Sequence, residues 1–174
     1  MRRPKIPLRR LNALHRDRFV AIVGPFVEKS PWIADRIFPR RPFGSVDELH
    51  QTIVDELRRA SREEQIGVIN EHPDLVGKAA QAGTLTDESK HEQASAGLGD
   101  LSPQEIDAFN RYNVDYRARF GFPFVICARE NKKDAILAAF PIRLRNTREQ
   151  EIDTAITEIT KIANLRLRDA VAEE

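Results

Sequence analysis

A histidine at residue 72 stands where an imidazole can exchange protons with a bound molecule. It occurs in the segment NEHPDL, residues 70–75, and the proline after it restricts its backbone to extended conformations. We therefore expect the preceding helix to end here, which leaves the following residues free to form a pocket wall. An imidazole suits general acid–base catalysis near neutral pH. A histidine that only caps the helix is the alternative.

Three polar side chains share one face of a helix predicted further along the chain. Ser89 precedes Glu92 by three residues and Gln93 by four, and side chains at these spacings are neighbours on a helix. Ala96 continues the face, which could therefore pack against protein. A hydroxyl, a carboxylate and an amide there would hydrogen-bond a small polar ligand. The alternative is a polar face in solvent, where we also expect the neighbouring Lys90 and His91.

The histidines do not form a metal-binding pattern. His91-Glu92 begins like a zinc signature, but no histidine follows at the required spacing. His15 and His50 have no neighbouring ligands either. The chain also lacks a glycine-rich phosphate loop and the Gly-x-Ser-x-Gly turn of common hydrolases. We therefore expect no metal site, and nucleotide enzymes and the usual hydrolases are disfavoured.

An arginine continues the apolar stripe of the last predicted helix. The stripe consists of Ile152, Ile156, Ile159 and Ala163, and Arg166 is the next position on it. A guanidinium at such a position is unfavourable unless it meets an anion or reaches solvent. Its partner is either a carboxylate of the protein or a substrate carboxylate or ureido oxygen. A planar, permanently charged group suits both partners.

The elements that must position these residues are predicted to be helical. Four places match the capping box, in which Ser or Thr is followed three residues later by Glu or Gln. They are Ser45 with Glu48, Ser61 with Glu64, Ser102 with Glu105, and Thr147 with Gln150. Helical spacing of apolar residues agrees with these starts. Only residues 123–128 read as extended, because this apolar run is short and opens with proline.

The predicted fold is all-α, one compact domain of about eight helices that is not a simple four-helix bundle. The predicted helices cover residues 12–23, 31–38, 45–60, 62–70, 87–96, 103–120, 132–145 and 147–171. Residues 1–10 carry five basic and no acidic side chains. We expect this segment to be a flexible basic terminus and residues 11–174 to form the domain.

The composition is that of an ordinary globular protein. The chain has 174 residues, of which 41% are hydrophobic and 32% charged, and this length favours one domain. The net charge of +1 gives no pull toward nucleic acid, and no apolar run approaches the roughly 20 residues that span a bilayer. The one cysteine, Cys127, lies in an apolar run and is expected to be buried and inert. We expect a cytoplasmic protein that binds neither nucleic acid nor membrane.

Together the motifs resemble one family, the 2-oxo-4-hydroxy-4-carboxy-5-ureidoimidazoline (OHCU) decarboxylases. They are His-Pro-Asp-Leu at 72–75, Ser-x-x-Glu-Gln at 89–93 with Ala-Gly-Leu at 96–98, and Phe-Gly-Phe-Pro-Phe-Val-Ile at 120–126. Ser-Pro-Trp at 30–32, Arg-Pro-Phe at 41–43 and Ile-Ala-Asn-Leu-Arg-Leu at 162–167 also fit. Each motif alone is modest, whereas their order and spacing together are specific. The resemblance runs from about Leu11 to Val171.

The resemblance implies an all-helical homodimer without metal or organic cofactor. The implied activity is that of a carboxy-lyase, which converts OHCU to (S)-allantoin in urate degradation. By resemblance His72 and Glu92 are the catalytic pair. The residues that it implies for substrate binding are Pro73, Ser89, Gln93, Phe124, Val125, Ile126 and Arg166, with 124–126 acting through backbone groups. Urate oxidase and hydroxyisourate hydrolase are the expected pathway neighbours.

Two other functions remain open on the sequence. One is an enzyme on the same scaffold that acts on a related ureido acid, because the motifs do not exclude a sibling substrate. The other is a helical interaction module that binds an acidic partner or nucleic acid through its basic N-terminus and arginine-rich surface. The balanced charge and the lack of a basic helix that could face a groove disfavour this module.

Overall fold

The computed structural model describes residues 4–174, the side chain of Ala79 excepted, and this part of the chain is mainly helical. Its helices are α1 (Leu8–Asn12), α2 (Arg16–Val23), α3 (Trp32–Ile37), α4 (Val46–Arg59), α5 (Arg62–Asn70), α6 (Lys78–Gln81), α7 (Asp87–Ser95), α8 (Pro103–Phe120), α9 (Lys133–Arg143) and α10 (Arg148–Ala170). Two short strands, β1 (Ile6–Pro7) and β2 (Val171–Ala172), pair in parallel. The predicted all-α class is confirmed, and the arrangement is not a four-helix bundle.

All eight predicted helices are present, and α1 and α6 are additional short ones. These two helices have five and four residues, too few for a hydrophobic period to show in the sequence. The first predicted helix was expected to begin at Asn12, but α2 begins at Arg16. The chain turns between α1 and α2 because Arg41 Nη1 donates to the carbonyls of Asn12 and Leu14, each at 2.7 Å. No local sequence pattern predicts that contact.

The capping boxes start their helices as predicted, with one exception. The boxes of Ser61 and Ser102 are reciprocal. Thr147 and Gln150 likewise exchange backbone-to-side-chain hydrogen bonds of 2.9 and 3.2 Å. The exception is Ser45, which caps α4 by accepting from Glu48 N, whereas Glu48 Oε2 accepts from the amide of Gly44. Each cap satisfies amides that the first helical turn leaves open.

The described residues fall into two compact units. The first contains the residues up to Glu71 together with Thr160–Glu174, and the second contains His72–Ile159. One boundary therefore follows α5, and the other falls inside α10. The predicted apolar stripe of α10 is confirmed, because Ile152, Ile156, Ile159 and Ala163 are fully buried.

The first unit joins its two chain segments through β1 and β2. Ile6 lies opposite Val171 and Pro7 opposite Ala172, and Leu8, at the start of α1, is buried. Residues 1–3 of the predicted flexible segment lie outside the described residues. The boundary at residue 10 and the flexibility of residues 1–10 therefore stay predictions, although Ile6 and Pro7 pair with β2 and α1 begins at Leu8.

An aromatic cluster forms the core of the second unit. Phe124 stacks on Phe140 with ring centroids 3.8 Å apart, and Tyr116 meets Phe124 edge-on at 5.3 Å. These rings come from α8, α9 and the irregular segment between them, so they hold that segment against two helices. Among residues 4–174, no helix is long and apolar enough to cross a membrane.

Candidate active site

His72 directly follows the end of α5, as the proline after it predicts. α5 ends at Asn70, and the amide of Glu71 closes the last turn on the carbonyls of Gly67 and Val68 at 3.3 and 3.2 Å. His72 follows in the second unit and is only 6% exposed. Its side chain is thus held away from bulk solvent at the start of an irregular loop.

The loop after His72 makes a tight and strained turn. The amide of Gly77 donates to the carbonyl of Asp74 at 3.4 Å, and a Cβ atom on Gly77 would lie 2.7 Å from Asp74 Cβ. Val76 has a φ of +57°, a left-handed conformation that a β-branched side chain rarely adopts. Such a conformation persists only where surrounding contacts fix it. We call residues 73–77 the His72 loop.

The polar face of α7 is buried, so the solvent-exposed alternative is wrong. Ser89, Glu92 and Gln93 are 4%, 9% and 6% exposed, whereas the neighbouring Lys90 and His91 are exposed as expected. α7 begins where it does because Thr86, a cap that the sequence analysis missed, accepts from Ser89 N at 3.2 Å. The face therefore presents three polar groups to protein.

Gln93 connects α7 to the His72 loop. Its Oε1 accepts from the amide of Val76 at 3.1 Å, and its Nε2 donates to the carbonyl of Asp74 at 3.5 Å. Glu92 is the adjacent residue on α7, and His72 lies two positions before Asp74. The two residues predicted to be the catalytic pair therefore come from segments that are in direct contact.

α8 holds the same loop through two contacts that the sequence analysis missed. Asn113 Nδ2 donates to the carbonyl of Leu75 at 2.8 Å, and Arg117 pairs with the carboxylate of Asp74 at 3.0 Å. Arg117 is about half exposed. Asn113 could have been found, since it lies four residues after Phe109 on the buried face of α8.

The segment 124–126 is buried and has no regular secondary structure. α8 ends at Phe120, and the next residue, Gly121, reverses the chain with a φ of +79°. Phe124 is held by its stack on Phe140. The carbonyl of Val125 accepts from Arg143 Nη1 at 2.5 Å. Peptide groups in this segment are therefore fixed by side chains rather than by a helix or a sheet.

Cys127 follows this segment and is buried, which confirms that expectation. Burial raises the pKa of its thiol to about 11, and the negative charges of Glu130, Glu158 and Glu92 act in the same direction. A thiol with so high a pKa is protonated and unreactive at neutral pH. Lys132 Nζ donates to the carbonyl of Ser95 at 2.7 Å, so the end of α7 lies near the residues that follow Cys127.

The family model for OHCU decarboxylase matches residues 12–168. The chain belongs to this family. The decarboxylase of this name from Haloferax volcanii is 41% identical over 170 residues, which cover 98% of this chain and 99% of that protein. The one from Xenopus laevis is 37% identical over 96% of this chain and 95% of its own length. The uric acid degradation bifunctional protein PucL of Bacillus subtilis is 38% identical over 94% of this chain, but the match covers 32% of that protein.

Two solved structures share the fold of this OHCU decarboxylase family member. An (S)-allantoin synthase superposes with a TM-score of 0.76 over 95% of this chain and 54% of its own, at 23% identity. An OHCU decarboxylase crystallised in the presence of (S)-allantoin gives 0.67 over 88% of this chain and 96% of its own, at 21% identity. At these identities the likeness is one of fold.

Eight of the nine residues predicted for the site of this family member lie in the second unit. They are His72, Pro73, Ser89, Glu92, Gln93, Phe124, Val125 and Ile126. All of them except the half-buried Pro73 are buried. Together they provide an imidazole, a carboxylate, a hydroxyl, an amide and fixed peptide groups, which can bind a polar molecule and exchange protons with it. Their individual roles stay predictions.

Arg166 lies in the first unit and meets the first of its two predicted partners. Its Nη2 pairs with Glu28 Oε2 at 2.8 Å, with both side chains almost fully buried, and its Nη1 donates to the carbonyl of Pro25 at 2.9 Å. The buried charge is therefore balanced by a carboxylate of the protein. A role of Arg166 toward substrate stays a prediction. Within residues 4–174, no group of three His, Cys, Asp or Glu side chains could hold a metal ion.

Proposed function

We propose that this protein decarboxylates OHCU to (S)-allantoin in urate degradation, with its own side chains as the acid–base groups. The observation that carries the proposal is the buried polar set on α7 and its contact with the His72 loop through Gln93. Relatives named OHCU decarboxylase match the chain over nearly its whole length, which supports the same activity.

The substrate contains its own electron sink. Decarboxylation breaks the bond between the ring carbon and the carboxylate, and the electron pair of that bond needs an acceptor. Many enzymes use a cofactor as this acceptor. In OHCU the carbon that carries the carboxylate also carries a hydroxyl and adjoins a carbon–nitrogen double bond. The electron pair moves into that double bond as carbon dioxide leaves, and charge accumulates on the ring nitrogen.

Three proton movements complete the reaction. The hydroxyl loses its proton as its carbon becomes a carbonyl, the ring nitrogen that received the electron pair gains one, and the adjacent ring carbon, which carries the ureido group, gains another. The net uptake of one proton balances the negative charge of the lost carboxylate. Delivery of the ring-carbon proton to one face of the ring yields one enantiomer of allantoin. The protein therefore needs a group near the hydroxyl and a proton donor on one face.

His72 and Glu92 suit these two tasks. We assign His72, polarised by Glu92, to the substrate hydroxyl, which it hydrogen-bonds or deprotonates as carbon dioxide leaves. Glu92 is the candidate acid for the ring carbon. General acid–base assistance of this kind accelerates a reaction by about 10²- to 10⁴-fold. The burial of both side chains supports the assignment, because it keeps competing water away.

The remaining polar groups of the second unit orient the substrate. Ser89 and Gln93 offer a hydroxyl and an amide on the face that carries Glu92. Peptide groups of residues 124–126 can hydrogen-bond the ring or its ureido arm, and Pro73 can pack against the ring. Gln93 also fixes the His72 loop, so its loss would affect binding and geometry together.

We further propose a homodimer in the cytoplasm that acts after urate oxidase and hydroxyisourate hydrolase. The chemistry requires enzymes that form the unstable ureidoimidazoline from urate. The name of the Bacillus subtilis relative, a uric acid degradation bifunctional protein, supports a link to further steps of uric acid degradation.

The proposal is tested by circular dichroism on freshly generated substrate. Urate is converted by urate oxidase and hydroxyisourate hydrolase, and the signal of allantoin is followed with and without this protein. We expect rapid appearance of one enantiomer, and its loss in His72→Gln and in Glu92→Gln. His91→Gln is the matched control, because His91 is exposed on α7 and should retain activity.

Slow, racemic decay that is the same with and without the protein would reject the decarboxylase function and direct attention to related ureido acids. Full activity and stereoselectivity in His72→Gln would reject the role of His72 but leave the reaction in place.

A further inference from the structure

A buried ion pair contacts the segment 124–126. Arg143, the last residue of α9, pairs through Nε with Glu151 Oε1 of α10 at 2.7 Å, and both side chains are nearly or fully buried. Tyr116 of α8 donates its hydroxyl to the same oxygen at 2.5 Å. Asn146 Nδ2 donates to Glu151 Oε2 at 2.9 Å. All four residues belong to the second unit.

The donors around Glu151 satisfy its carboxylate, and Arg143 contributes only part of its N–H groups to it. Burial raises the pKa of the Tyr116 phenol far above its ordinary value, so the phenol stays a neutral donor to Glu151. Arg143 Nη1 points elsewhere and donates to the carbonyl of Val125 at 2.5 Å. The guanidinium also lies over the ring of Phe124, 4.2 Å from its centroid. Arg143 therefore connects the ion pair to segment 124–126.

The hydrogen bond from Arg143 fixes a segment of the backbone that has no secondary structure of its own. Residues 123–127 belong to no helix or strand, so no ladder of backbone hydrogen bonds fixes the orientation of their peptide planes. The bond from Arg143 holds the Val125 carbonyl on one side of the chain. The N–H of the same peptide group, from Ile126, must then point to the opposite side, because the carbonyl and the N–H of a trans peptide are antiparallel.

We propose that Arg143 is a positioning residue for the substrate site: it orients the peptide groups of residues 124–126 toward the substrate. The inference rests on the proposed function, in which these peptide groups bind the ring or its ureido arm. Arg143 itself touches no substrate in this scheme. Its effect passes through the Val125 carbonyl and the Phe124 ring.

The alternative is that the ion pair only stabilises the fold. A buried ion pair is weak support for that alternative, because well-packed apolar side chains often give equal or greater stability. The geometry of arginine also favours positioning. Its planar group donates to a carboxylate and a carbonyl at the same time, whereas the single ammonium of lysine acts as a point charge. Arg143→Lys should therefore keep the pair with Glu151 and release Val125.

The first experiment compares Arg143→Lys with Tyr116→Phe. Arg143→Lys removes the bond to Val125, whereas Tyr116→Phe removes a hydrogen bond to Glu151 and leaves the bond to Val125 in place. We expect Arg143→Lys to raise KM for freshly generated OHCU about 10-fold, the upper range for one lost hydrogen bond, with a smaller change in kcat. Tyr116→Phe should lower stability to urea and leave KM within about twofold. An unchanged KM in folded Arg143→Lys overturns the proposal.

A second variant covers the case in which Arg143→Lys does not fold. Arg143→Met combined with Glu151→Leu removes both charges, so no buried charge is left unpaired and the fold is expected to persist. This double variant should show the same rise in KM, and a wild-type KM would overturn the proposal. A wild-type protein that fails to accelerate the reaction refutes the proposed function, whereas an active wild type with equal KM in the variants refutes only the role of Arg143.

Discussion

The buried ion pair between Arg166 and Glu28 permits a test that separates folding from catalysis. Both side chains are almost fully buried, and their charged atoms lie 2.8 Å apart. Replacement of Arg166 by methionine keeps an unbranched apolar side chain along the first part of its course and removes the guanidinium with its positive charge. Glu28 is then left as a buried carboxylate that has lost its ion-pair partner.

The size of the effect follows from this burial. Loss of one partner of a buried ion pair lowers the free energy of unfolding by about 3–5 kcal/mol. The whole free energy of unfolding of a domain is only about 5–15 kcal/mol. For a chain of this length each kcal/mol corresponds to roughly 2–4 °C in Tm. Arg166→Met should therefore lower Tm by about 6–20 °C.

The decisive variant removes both charges. In Arg166→Met combined with Glu28→Gln, neither charge stays buried without its partner, so most of the lost stability should return. Urea denaturation measures the unfolding free energies of the wild type, both single variants and the double variant. The circular dichroism assay on fresh OHCU then gives the activity of the double variant at a temperature at which it is folded.

The two measurements have separate meanings. Single variants that each lose less than about 1 kcal/mol, or effects that simply add in the double variant, would refute the reasoning about the buried pair. A stable double variant without activity is expected if Arg166 also binds substrate, as the family resemblance implies. A stable double variant with wild-type KM and kcat would assign Arg166 to the fold alone.

Three further changes test the His72 loop, its support from α8 and the buried thiol. Gly77→Ala places a Cβ 2.7 Å from Asp74 Cβ and should reduce kcat at least tenfold by shifting the loop. The control Gly67→Ala lies in open space on α5 and should retain activity while gaining about 0.5–1 kcal/mol of stability. Equal activities of the two variants would contradict the role of the loop. Asn113→Leu removes the donor to the Leu75 carbonyl and should lower the free energy of unfolding, measured by urea denaturation, by about 1–3 kcal/mol. An unchanged free energy of unfolding would be the contrary result. Folding raises the pKa of Cys127 from 9.0 to about 11, so the unfolded thiol ionises first and the free energy of unfolding should fall as pH rises through this range. Cys127→Ala should lack this part of the pH dependence. Parallel plots of unfolding free energy against pH for the wild type and the variant would refute the prediction.

The sequence predicts most of the fold because its signals are local. Serine and threonine caps followed by Glu or Gln announce where helices begin, and the stripe of α10 is regular enough to be followed to Arg166. The short helices α1 and α6 escaped prediction because one turn shows no period. The division into two units escaped it as well, since one boundary lies inside a continuous helix.

The candidate site is less accessible to such reasoning because its support comes from distant residues. The burial of Glu92 and Gln93 depends on what packs over α7, and the sequence left that open. Asn113 meets a loop 38 residues away, and Arg143 meets a carbonyl 18 residues away. A single sequence contains no local signal for these pairs, because any of many polar residues could have made them.

The pairing of β1 with β2 has a mechanical consequence. A force that pulls the two ends of the chain apart would draw the start of β1 and the end of β2 in opposite directions. Because these strands are parallel, such a force would slide one along the other and load their hydrogen bonds together, rather than open them one by one. This short pair, reinforced by the bonds from the amide of Val46 to the carboxylate of Glu173, would therefore resist stretching before any helix of the first unit is pulled.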